Sequence, residues 1–73
     1  LGSWIVTGLF KGSEPENSGL RIDDRILEVN GVSVAMIDYE ARKDFFSGLD
    51  EVKLLVDRRG EHKEIKFKLK YIQ

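Results

Sequence analysis

His62 is the only histidine in the chain and cysteine is absent, so nucleophilic catalysis would have a single candidate base. A serine nucleophile needs that base held in place by an orienting group. His62 instead sits beside a turn, at the start of a polar-faced strand, where an exposed structural role is expected. Aspartyl protease chemistry needs two Asp-Thr/Ser-Gly strings whose carboxylates share a proton. The nearest string is Asn17-Ser18-Gly19, which carries an amide in place of the carboxylate. The acidic pairs Asp23-Asp24 and Asp50-Glu51 fall at turns, without a histidine or third ligand at suitable spacing, and read as turn residues. No Gly-rich phosphate loop leads into a helix. No catalytic residue, metal site or cofactor is expected of this chain. Lys66, Lys68 and Lys70, with Lys63 near them, form a comb on one strand face. That comb is either a solvated face that discourages edge-to-edge pairing or a seat for an anionic partner. No aromatic is interleaved on it for base stacking.

The bulk numbers narrow the classes further. A net charge of −1 over 73 residues provides no field toward nucleic acid or anionic membrane. No apolar run approaches the length of a membrane span, so no membrane insertion is expected. The chain is long enough for one small domain of marginal stability.

The elements that would position these residues follow from periodicity and turn chemistry. "SWIVTGLF" (3–10) reads as a strand, with Gly8 marking a bulge or a close backbone approach. In "KGSEPENSG" (11–19), Ser13 can cap a short helix, Pro15 suits its first turn and Gly19 can end it. "DDRILEVN" (23–30) is a strand with Leu27 and Val29 on one face and Ile26 and Glu28 on the other. Asn30-Gly31 is the residue pair of a type I′ hairpin turn, returning through 32–34. Asp38 can cap a helix over 39–47, stopped by Gly48, with Ala41, Phe45 and Leu49 as its core stripe. Residues 52–58 form a strand with Val52, Leu54 and Val56 inward. After a turn at 59–61, residues 62–72 alternate Ile65, Phe67, Leu69 and Tyr71 with Glu64, Lys66, Lys68 and Lys70. The fold class is α+β: about five strands, one short helix, one longer helix and a C-terminal β-hairpin.

The string "KGSEPENSGLRIDDRILEVNGVSV" (11–34) resembles the "GS-x-P/A-x-x-x-GL … GD-x-I-L-x-V-N-G" pattern of PDZ domains nearly position for position. The resemblance implies a half-open β-barrel or sandwich in which Gly12, Gly19, Leu20, Asp24, Ile26, Leu27, Val29, Asn30 and Gly31 are frame residues. One departure is Asp23, where the family usually has Gly, so a mildly strained positive φ is expected there. The closing hairpin is similar to the permuted PDZ arrangement of bacterial proteases, among them the high-temperature-requirement serine proteases and PDZ-bearing retropepsin-like aspartyl proteases. That arrangement implies an extracytoplasmic bacterial setting, in the periplasm or cell envelope.

The resemblance also implies a function. PDZ domains capture a peptide C-terminus or extended segment by strand addition between a strand edge and the longer helix. Carried over residue by residue, the helix side is Asp38, Arg42, Phe45 and Phe46. The family's ligand-carrying strand would precede the strand at 4–10, so Trp4, Ile5 and Val6 are expected on an edge left bare for a peptide or a neighbouring chain. The family's Gly-Leu-Gly-Phe-like carboxylate loop is not present. Residues 1–73 therefore read as a single domain excised from a longer chain, with "LGSW" as its upstream end or a shortened relic of that loop. Asp38 stands where many animal PDZ domains carry a histidine donor, so their Ser/Thr preference is not implied. Three partners remain open: a peptide or chain terminus, a parent protease domain, and a second copy paired through the exposed edge. The competing function is a structural or dimerisation module with a vestigial groove.

Overall fold

The structure is a computed structural model that describes residues 3–69. Its strands are β1 (Trp4–Ile5), β2 (Arg25–Val29), β3 (Val32–Ser33), β4 (Glu51–Arg58) and β5 (Glu61–Lys68), with helices α1 (Glu14–Asn17) and α2 (Arg42–Ser47). Two 3₁₀ turns, Val34–Met36 and Tyr39–Ala41, lie between β3 and α2. All strand pairs are antiparallel, in the order β1-β2-β4-β5, with β3 also on β2. The result is the small α+β architecture that the periodicity predicts.

α1 shows how the local sequence builds the frame. Ser13 caps it, its Oγ accepting from the Glu16 N–H at 3.4 Å, while Glu16 Oε1 reaches back to accept from the Gly12 N–H at 2.8 Å. These are the reciprocal bonds of a capping box, displaced by one residue. At the other end Gly19 adopts φ +103°. Its N–H donates to the Glu16 carbonyl at 3.0 Å, and the Leu20 N–H donates to the Pro15 carbonyl at 3.1 Å. This pair of bonds is a Schellman closure, and it turns the buried Leu20 into the core.

The core consists of Val6, Leu20, Val29, Val34, Val52, Leu54, Val56 and Ile65, with Trp4, Leu9, Ile26, Ile37, Phe45, Phe46, Leu49, Phe67 and Leu69 packed around it. Val52, Leu54 and Val56 do share the inner face of β4. β2 departs from simple alternation. Ile26 pairs with Val56 and Glu28 with Leu55, so Leu27 is the extra residue of a β-bulge. The bulge resets the phase of the strand: Ile26 and Val29, an odd number apart, both pack on the core. Leu27 is half-buried and stays outside the core cluster, which corrects the inward position expected for it.

Three element boundaries also differ from expectation. The strand expected over 3–10 is confined to Trp4–Ile5, followed by two backbone bonds between Val6 and the Asp23-Asp24 turn just before β2, and Gly8 marks neither a bulge nor a close approach, since a Cβ there would meet nothing within 4 Å. The helix expected over 39–47 is a 3₁₀ turn followed by α2. Asp38 starts the 3₁₀ turn: its Oδ1 accepts from the Glu40 N–H at 3.1 Å and its carbonyl from the Ala41 N–H at 2.9 Å. α2 itself begins without a side-chain cap. The last strand runs Glu61–Lys68; the expectations for Lys70, Tyr71 and the opening Leu1-Gly2 lie outside the described residues.

Candidate functional site

Among the described residues β1 is an end strand, held to β2 on one side only. The Val6 N–H donates to the Asp24 carbonyl at 2.9 Å and the Asp23 N–H donates to the Val6 carbonyl at 2.8 Å. In an antiparallel pair the residues that face the partner alternate, so the backbone N–H and C=O of Ile5 point the other way, to the open edge. The Ile5 side chain is 48% exposed. From Ser3 to Phe10 no residue is charged, and Phe10 is 88% exposed. Val6, by contrast, is buried and has both backbone groups bonded to the Asp23-Asp24 turn. That removes it from the edge on which the sequence had placed it.

α2 faces this strand through aromatic rings. Trp4 and Phe46 lie 6.3 Å apart, centroid to centroid, and Phe45 meets Phe46 edge-on at 5.6 Å. Phe45 and Phe46 are half-buried against the core. Along the outer side of α2 runs an open groove of about 490 Å³, lined by Arg42, Lys43, Phe46, Ser47 and Leu69. Trp4, Phe45, Phe46 and Arg42 are thus gathered at one end of the sheet. Asp38 is exposed and its carboxylate is engaged in the turn that leads into the helix.

Among the described residues the frame holds one buried charged side chain. Asp24 is 2% exposed. Arg58 holds it with a fork: Nε donates to Oδ1 at 2.8 Å and Nη2 to Oδ2 at 2.7 Å. The Arg21 N–H adds a bond to Oδ2 at 2.9 Å, and Arg58 Nη2 also donates to the Gly19 carbonyl at 2.8 Å. The Arg58 hydrogen bonds pull the Asp24 carboxyl below its ordinary pKa against the opposing effect of burial, with the Arg21 N–H assisting; the same bond raises the Arg58 guanidinium. Sequence reading named Asp24 as a frame residue but missed Arg58. The signal was available, because Arg58 continues the inward phase of Val52, Leu54 and Val56.

Asn30 holds the second corner. It takes φ +51° and Gly31 φ +82°, as a type I′ turn requires. Its side chain also crosses to β4, donating to the Glu51 carbonyl at 3.1 Å and accepting from the Lys53 N–H at 2.7 Å. The Asn30 backbone N–H also donates to the Lys53 carbonyl at 2.8 Å, so side chain and backbone together tie this corner to β4.

The profile of the PDZ domain family matches residues 2–57. The chain belongs to the PDZ domain family. It is also similar to Whirlin of Rattus norvegicus, 57% identical over 37 residues, a stretch that covers 51% of this chain and 4% of that protein. The chain therefore spans a small fraction of the relative's length. PDZ domains are non-catalytic modules that bind peptide C-termini or extended segments, and that is the general role of this fold. The PDZ match stops at residue 57, so β5 lies beyond it.

Proposed function

We propose that this PDZ domain grips an extended peptide or chain terminus by strand addition at the β1 edge, beside α2. The observation that carries the reading is the open edge at Ile5, uncharged from Ser3 to Phe10 and joined to the helix through the Trp4–Phe46 contact. Bare edges of this kind recruit another strand. In the same reading the domain is of the permuted bacterial type. It serves as the regulatory or substrate-capturing part of an extracytoplasmic protease of the aspartyl or serine class, with the catalytic domain as a second partner. What supports the permuted type is β5, which pairs with β4 along its whole length and follows the family's matched segment. A second copy is the competing occupant of the same edge.

A library of C-terminal peptides titrated against the 73-residue chain, read by fluorescence anisotropy, tests the reading. Affinities of micromolar order are expected, and Ile5 and Phe46 amides should shift on binding. If no peptide binds better than about 1 mM, a free energy of only roughly 4 kcal/mol, the recognition role is lost.

A further inference from the structure

We infer that the peptide this site prefers carries an acidic side chain close to an apolar one. The inference rests on the recognition role proposed above and names the ligand chemistry of that same site. Every side chain lining the groove on α2 is cationic, apolar or a hydroxyl: Arg42, Lys43, Phe46, Ser47 and Leu69. The Ser47 hydroxyl is already committed to the Asp44 carbonyl at 2.8 Å, and Arg42 has a partner of its own. Lys43 is different. It is exposed and makes no ion pair among the described residues.

Phe46 links the groove to the strand edge, because it stacks near Trp4 on one side and lines the groove on the other. Lys43 stands one helical turn before it, about 5 Å along the axis. Side chains two residues apart on an added strand share a face and are spaced by roughly 6.7 Å. For a peptide running along α2, the two repeats are near enough for one side chain to contact Phe46 while its neighbour on the same face reaches Lys43. An anionic neighbour complements that ammonium; a cationic one is repelled.

The test uses the 73-residue chain and seven-residue peptides of the pattern Gly-Ser-Thr-Glu-Ser-Leu-Ser. The Glu is replaced by Gln or Lys in two of them, and each peptide is made with a free and an amidated C-terminus. The Glu peptide should bind roughly two- to five-fold more tightly than the Gln peptide, as an exposed ion pair allows. The Lys peptide should be weaker still, and the difference should shrink in high salt. The Lys43→Glu variant should invert the order of the Glu and Lys peptides. Equal affinity for all three side chains overturns the inference while leaving peptide recognition standing. Loss of binding on amidation alone, without dependence on the Glu, also overturns it, because the terminal carboxylate is then what is read. Failure of every peptide to bind removes both the inference and the recognition role.

Discussion

Asp24 is a carboxylate nearly closed off from water, and three donors from two residues hold it there. Buried ions are tolerated only when paired and hydrogen-bonded in this way. Asp24→Ala leaves the Arg58 fork and the Arg21 N–H without an acceptor, and a loss of at least about 2 kcal/mol is expected in a denaturant titration. In a domain this small, that is a large share of the total stability. The pH dependence follows from the direction of the shift. The folded state holds the Asp24 proton less tightly than the unfolded chain does. Its contribution is therefore complete above the ordinary carboxyl value of 3.8 and fades as pH falls through the depressed folded value. Asp24→Asn should flatten the acid limb of the stability curve below that pH and leave its slope between pH 6 and 8 unchanged. A variant with the wild-type acid limb would contradict the assignment. The carboxylate was legible in the sequence as part of the family's frame. Its partner was not, because a strand ending in Arg58-Arg59 offers two candidates and only the inward phase of β4 selects between them.

At the scale of elements, the turns carry most of the strain. Asp23 sits at φ +76° and Arg59 at φ +53°, both in the left-handed region where a Cβ crowds the backbone. Asp23 was expected to lie there from its place in the motif. The Arg59 conformation was not expected, since "RRG" shows that a turn occurs but not its length. The register decides it: Arg58 pairs with Glu61, so Arg59-Gly60 is a two-residue loop, and a type I′ turn places positive φ at both positions. Arg59→Asn should stabilise the β4–β5 hairpin by about 0.5–1 kcal/mol, since Asn tolerates that region better than Arg. Thermal denaturation of the variant checks this, and no gain in midpoint would refute it. The β2 bulge marks the limit of period-two reasoning. The string Ile26-Leu27-Glu28-Val29 does not announce where one extra residue enters, so alternation put Leu27 inward. The inserted residue instead lets Ile26 face Val56 and Val29 face Leu54 on the same side. Helix length was overread for a related reason. Asp38 offers its side chain and carbonyl within two and three residues, and those short bonds produce a 3₁₀ turn before α2 can start.

Across the whole molecule the sheet ends in two edges of opposite character. β5 presents Glu64, Lys66 and Lys68 on one face, and its Lys66 stands directly opposite Lys53 on β4. That like-charge pair is relieved by the ion pair from Lys53 to Glu64 at 3.9 Å. Such an edge resists further strands, because an approaching chain must desolvate or displace the charges. β1 has no comparable protection: its neighbours from Ser3 to Phe10 are uncharged, and Ile5 stands half out of the fold. The asymmetry favours β1 over β5 for the strand addition proposed above and predicts opposite responses to charge at the two ends. Ile5→Lys should leave stability within about 0.5 kcal/mol of wild type, because a half-exposed side chain contributes little to packing. It should nonetheless weaken peptide binding and suppress any self-association seen by sedimentation. Lys66→Val removes a repulsive cross-strand pair and opens the other edge, so it should retain peptide binding and increase self-association. If Ile5→Lys bound peptide as wild type does while Lys66→Val lost it, the added strand would lie on β5. The aromatic contact between Trp4 and Phe46 would then have only a packing role.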